Sequence, residues 1–300
     1  MKQISFAVRL PLLFLVAVLV VGTGYIIWQQ ISANKPTSIE TKYVSFGGGY
    51  LFSIPAKYIA DGTAMPGVTV VYPEGSPAQN GQSLNDLYLN GTVAIQPLGE
   101  LKNSNPEVFA TYVKDVLAAD LRKAFKGATD LRSAKQNGVE AFEVFALGEG
   151  GKSLRVLYAV NFTQPLLVVA QDYGDVFKTV GFTVEDLKKS SLISDLDQAA
   201  QATKEVAQKL QQQNGAQSRK NATTKFKQQV TEEQLVASLQ ESDKYLRWPV
   251  NIVGGSYDGN LFIAQLVFEA KTEGEQFASG VISLRKKGKT WKLDGLQLPK

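Results

Sequence analysis

The stretch VISLRKKGKTWKLDGLQL, residues 281–298, decides how the end of this chain is read. Two runs that alternate apolar and polar residues flank Lys287-Gly288, and a period of two on either side of a glycine turn describes a β-hairpin. Arg285, Lys286, Lys287, Lys289 and Lys292 crowd the turn around a single tryptophan, Trp291. At a hairpin tip such cations keep the strand ends hydrated. Taken as a cluster, they are also the candidate contact for an anionic surface, either lipid headgroups or wall polymer. Trp291 and Leu293 are expected on one face of the last strand, and Lys292 and Asp294 on the other.

Three further strands precede this one: NIVGGSY, LFIAQLVFEA and QFASGVISLRK, with turns at Asp258-Gly259 and Thr272 to Glu275. Before them the apolar period lengthens to that of a helix. Leu196, Ala199, Ala200, Thr203, Val206, Ala207 and Leu210 keep helical spacing up to Asn214-Gly215, which ends the run. A second helical segment spans 216–230, and Thr231 with Gln234 caps a third that carries Leu235, Leu239, Tyr245 and Leu246. Helices followed by a four-strand meander, closing on a lysine-rich glycine turn and Trp-Lys-Leu-Asp-Gly, resemble the nuclear-transport-factor-2-like superfamily. The resemblance covers about a third of the chain. It implies a cone-shaped α+β domain, residues 192–300, whose sheet curls around its helices to form a cup for a small molecule or partner. Members that are enzymes place acids, tyrosines or histidines in the cup. Here Glu269 and Asp294 are the acids in an apolar strand context, and both are expected to be solvated, because charged side chains are seldom buried unless paired.

Residues 43–191 have a different order. YVSFGGGYLFSIPAKY opens with two short strands about Gly47 to Gly49, and VTVVYP and TVAIQPL follow as strands. Asn105, Pro106 and Glu107 start a helix with Phe109, Val113, Val116, Leu117, Leu121 and Ala124 on one face, ending at Gly127. Four strands then run through LRSAKQ, VEAFEVFAL, SLRVLYAVNF and PLLVVAQDY, the first turn being Asn137-Gly138. A short helix capped by Thr183 and Asp186 is expected next. YLFSIPAKY, VAIQPL before the long helix, GVEAFEVFAL and VFKTVGF are similar to features of the PsbP-like superfamily. That resemblance implies an α/β sandwich with an antiparallel sheet, in a domain that binds or stabilises partners and has no common reaction.

At the start, MKQISFAVRLPLLFLVAVLVVGTGYIIWQQISANKP holds Lys2 and Arg9 before an uncharged run lasting to Lys35. Leu10 to Trp28 is about 19 residues, which at ~1.5 Å each nearly crosses a ~30 Å hydrocarbon core. A cleaved signal peptide would end near Gly22-Thr23-Gly24, yet the apolar run continues through Trp28, so an uncleaved anchor is the expectation. Tyr25 and Trp28 fall where an interfacial aromatic belt lies, and the two leading cations favour a cytoplasmic N-terminus. The expected plan is a cytoplasmic tail at 1–9, a transmembrane anchor at 10–28, a linker at 29–42, and the domains at 43–191 and 192–300. The localisation it implies is single-pass in the plasma membrane, with the bulk extracytoplasmic.

Composition narrows the chemistry. The 300 residues include no cysteine and no histidine, which removes disulfides, thiolates, imidazole bases and every Ser-His-Asp or Cys-His arrangement. A net charge of +4 is too small for a dedicated nucleic-acid binder. GEGGKS at 148–153 is a turn and not a phosphate loop, since Ala146 stands where the first glycine belongs and a strand follows. Asp115 with Asp120, and Glu140 with Glu143, lack the third ligand a metal would need, so no metal and no cofactor is expected. The functional expectation is a non-catalytic envelope protein that binds a small ligand, a wall component or a protein partner. An enzyme using the C-terminal cup and an anionic-polymer or lipid-surface binder are the alternatives.

Overall fold

A computed structural model of the chain describes residues 40–65, 67–75, 93–99, 132–136, 139–147, 153–159, 166–171, 184–212, 214–244, 246–271 and 277–298, with isolated positions between 100 and 120 besides. By internal contacts Met1–Ile39 and Glu40–Lys300 are separate units. The anchor expected at 10–28, with Tyr25 and Trp28, lies outside the described residues, as do most of the helix expected at 105–127 and the turn at 272–275. Among the described residues no helix is long and apolar enough to cross a membrane.

The protein is an α+β structure built on antiparallel sheets. In chain order the strands are β1 (Lys42–Ser45), β2 (Tyr50–Ser53), β3 (Tyr58–Met65), β4 (Val68–Pro73), β5 (Val93–Pro97), β6 (Arg132–Gln136), β7 (Val139–Leu147), β8 (Ser153–Ala159), β9 (Leu166–Gln171) and β10 (Val184–Asp186). Helices α1 (Ile193–Gln211), α2 (Gly215–Lys220), α3 (Thr224–Gln229) and α4 (Glu232–Asp243) follow, then β11 (Leu246–Tyr257), β12 (Leu261–Ala270), β13 (Phe277–Lys287) and β14 (Thr290–Gln297). One seven-stranded sheet, here sheet A, has the order β10-β2-β1-β11-β12-β13-β14; the other, sheet B, has β3-β4-β5-β9-β8-β7-β6. Each neighbouring pair is antiparallel.

Sheet A crosses residue 192. Lys42 to Ser45 pair with Tyr257 to Gly254, and Val184 to Asp186 pair with Phe52 to Tyr50, so strands from both sides of that point share one ladder. The segment after Thr183 is accordingly a strand followed by a single 3-10 turn at Leu187–Lys189, and not the helix its capping residues suggest. Val184 buries its side chain in the layer beneath and the strand completes the sheet edge, which a helix there could not do. Asp186 still caps, accepting from the Lys188 N–H at 2.9 Å. The helical run at 216–230 is broken in two by Asn221 to Thr223, and Thr223 caps α3 through its hydroxyl. Thr231 and Gln234 form the expected reciprocal capping box on α4.

Alternation along the strands sorts the core into layers. In β1 and β2, Val44 and Leu51 join Leu196, Leu210, Phe226, Leu235, Leu239, Phe262, Leu266, Phe268, Ile282, Leu284 and Leu293 between sheet A and the helices. Their neighbours Tyr43, Tyr50 and Phe52 face the other way and pack with Ala60, Val71, Val93, Ile95, Leu166 and Val168 of sheet B. Sheet A is therefore the middle layer, with helices on one face and sheet B on the other. Val68, Val70, Tyr72 and Ala94 are buried on the far face of sheet B.

Candidate functional site

Two polar constellations lie at the hairpin end of the helix-covered layer. The first gathers Asp195, Tyr257, Lys286 and Trp291. Asp195 is in the first turn of α1, at the positive end of the helix dipole, Tyr257 closes β11 just before the Asp258-Gly259 turn, and Lys286 and Trp291 face each other across β13 and β14. Lys286 Nζ donates to Asp195 Oδ2 at 2.7 Å and lies 5.9 Å from the centre of the Trp291 ring. The Tyr257 hydroxyl sits 3.0 Å from the same Asp195 oxygen and 2.8 Å from the Gly259 carbonyl, so one proton serves two acceptors. The Tyr257 and Trp291 rings, 6.1 Å apart, close the corner.

The electrostatics follow from these contacts. The hydrogen bond from Lys286, with that of Tyr257, holds the Asp195 carboxyl below its usual range. Burial, and then Asp195 itself, pushes the Tyr257 phenol well above its own. An efficient general acid or base has a pKa near the working pH. These two groups move in opposite directions away from neutrality, which leaves a fixed carboxylate and a fixed phenol.

The second constellation is centred on Asp294. A β-bulge falls between Ser283 and Leu284, which pair with Gly295 and Leu293, leaving Asp294 as the extra residue of β14. The expectation of a solvated side chain on the face of Lys292 is corrected here: the Asp294 carboxylate is 5% exposed. The bulge turns it toward the helices, where Thr223 Oγ1 donates to Oδ1 at 2.7 Å, and Arg285 donates through Nε and Nη2 to Oδ2 at 3.1 and 3.0 Å. A buried carboxylate is tolerable when it is paired and hydrogen-bonded in this way. Glu269, by contrast, is exposed and meets Arg247 at 3.4 Å.

The five cations of the terminal hairpin thus divide. Arg285 and Lys286 are engaged by Asp294 and Asp195, whereas Lys287 and Lys289 are exposed and Lys292 is half-buried. Among the described residues, no group of three or more acids is placed to hold a metal ion. Sequence patterns did not reveal Asp195 or Tyr257: neither belongs to a motif, and what brings them together is the return of β11 and β13 to the start of α1. Comparison with known proteins supplies no family, since no family model matches the chain and no curated protein matches it.

Proposed function

We propose that this chain is a non-catalytic, membrane-anchored protein of the cell envelope, whose extracytoplasmic body recognises a partner on its outside and not in an internal cup. In this reading the helix-covered layer is a nuclear-transport-factor-2-like cone and the layer beneath it is PsbP-like, fused through a common sheet. The observation that carries the proposal is the filled space between sheet A and the helices. Phe226, Leu235, Leu239, Phe262, Leu266, Phe268, Leu284 and Leu293 converge there, each at most 3% exposed. A cup packed by its own side chains gives up about 1.5–3 kcal/mol for each one displaced by a guest.

Native mass spectrometry on the full chain, extracted in mild detergent from its own membrane, tests the proposal. The expected result is the mass of the polypeptide, together with crosslinks formed in the intact membrane that join exposed lysines outside the terminal hairpin, such as Lys57 and Lys204, to one recurrent protein. A reproducible small-molecule adduct that survives detergent exchange, and that is lost when Phe262 or Phe268 is enlarged to Trp, would overturn it in favour of a carrier.

A further inference from the structure

We propose that the β14 edge of sheet A, together with α2 and α3, is a binding surface for anionic lipid headgroups of the membrane that holds the chain; this rests on the anchored reading above. Two segments far apart in sequence meet there. Ala222 bridges Leu293 in parallel, the Thr223 N–H donates to the Leu293 carbonyl at 2.8 Å, and the Thr223 hydroxyl reaches Asp294, 71 residues away. Residues 214–230 hold Arg219, Lys220, Lys225 and Lys227 and no acid. Residues 285–292 hold Arg285, Lys286, Lys287, Lys289 and Lys292, again with no acid. Together these cations outnumber the whole net charge of +4, so the rest of the chain is net negative and the positive charge is segregated on this edge.

The acids that face the edge from the packed elements are few, and two of them are ion-paired. Asp195 of α1 binds Lys286 and Asp294 of β14 binds Arg285. At the start of α4, Glu233 is held mainly by its own backbone N–H and the Thr231 hydroxyl and least by Arg219, and Glu232 stands beside it. Lys220, Lys225, Lys227, Lys287 and Lys289 are exposed and Lys292 half-buried, and among the described residues none of the six has a carboxylate within ion-pair distance. Lysine ammonium groups are hydrated point charges, suited to a fluid array of phosphates and not to bidentate readout. An anionic bilayer surface attracts each cation that comes within about a Debye length of it.

The test uses the full chain in lipid nanodiscs. Because the chain has no cysteine, Q228C on the exposed side of α3 takes a single spin label beside the edge. Nickel chelated to a headgroup lipid reports the approach of that label to the membrane. We expect relaxation in discs containing phosphatidylglycerol at about 0.1 M salt, and its loss in phosphatidylcholine discs or at high salt. The variant K220Q/K225Q/K287Q/K289Q should lose contact by roughly fivefold per lysine, with an unchanged urea midpoint showing that it folds. Equal relaxation in neutral and anionic discs would overturn the proposal. So would a label that responds to added soluble polyphosphate but not to anionic discs, which would assign the edge to a polymer. A chain that does not enter discs refutes the anchor; its pelleting with phosphatidylglycerol liposomes, or failure to pellet, then decides the edge separately.

Discussion

Replacing Gln265 by Met tests what holds the two sheets together. Gln265 lies on the face of β12 turned away from the helices and extends its amide to the edge of β3. Its Oε1 accepts from the Gly62 N–H at 2.8 Å and from the Tyr43 hydroxyl at 3.0 Å, and its Nε2 donates to the Ala60 carbonyl at 2.8 Å. The amide thus pairs with an edge strand as a neighbouring strand would, satisfying one N–H and one C=O that point away from β4. Methionine keeps the length and most of the volume and removes all three bonds. At about 1 kcal/mol net for each bond, and more where a group stays buried without a partner, the loss is about 3 kcal/mol. Urea denaturation of the full chain in detergent should show a lower midpoint at an unchanged slope, and amide exchange at Gly62 should accelerate. In a double-mutant cycle with Tyr43→Phe, the pair should couple by about 0.5–1.5 kcal/mol. A cost below about 0.5 kcal/mol, with no coupling, would show that apolar packing alone joins the sheets and would refute the reasoning.

Gly254→Ala should be among the most damaging single-methyl additions, at about 3 kcal/mol or more. The new Cβ would come within 3.0 Å of both the Tyr43 hydroxyl and the Val44 carbonyl, the latter being backbone that cannot turn aside. Gly47→Ala, with nothing within 4 Å of its Cβ, should stay within about 1 kcal/mol of the wild type, so the difference between their urea midpoints is the measurement. Alkaline titration followed at the phenolate absorbance should show Tyr50, which burial pushes up to about 12, and Tyr43 and Tyr257, both also raised by burial, remaining protonated past pH 10. Since the folded pKa lies above the unfolded one, the stability these groups contribute is complete below pH 10 and falls as pH rises from there toward 12, and a flat stability over that window would contradict it. Lys286→Met should return the Asp195 carboxyl toward its ordinary range, seen as an upfield-to-downfield carbon titration at higher pH than in the wild type. Because Asp195 is depressed in the folded state, its contribution is present above the ordinary carboxylate range and is lost as pH falls below it.

Much of the strand content was legible because alternation and turn chemistry agree. Asp258-Gly259 turns with Gly259 at φ 94° and Asp258 accepting from the Asn260 and Leu261 N–H groups, and Gly288 takes φ 63° between β13 and β14. What was not legible is pairing at long range. Tyr58–Met65 gives a strand although Asp61 and Gly62 interrupt its apolar pattern, because Gln265 and the Tyr43 hydroxyl use that interruption. A side-chain slot of this kind carries no periodic signature. The bulge at Asp294 is hidden for a related reason: one extra residue shifts a carboxylate from water to a helix cap, and only the register of the partner strand reveals it. The Asp195–Lys286 pair spans 91 residues and belongs to the same class.

Sheet A also sets a timetable for biogenesis. The Tyr43 hydroxyl donates to Gln265, 222 residues downstream, and β1 waits nearly as long for β11, with Lys42 opposite Tyr257. At ~5–20 residues per second that interval is on the order of 10–40 s. In a chain delivered N-terminus first, β1 keeps its outer pairing edge open through that time, and the hairpin face that carries Val44 and Leu51 stays uncovered until the helices and β11–β14 arrive. Escorting that hairpin is therefore the step at which a chaperone would act, and the last four strands are the ones whose arrival releases it.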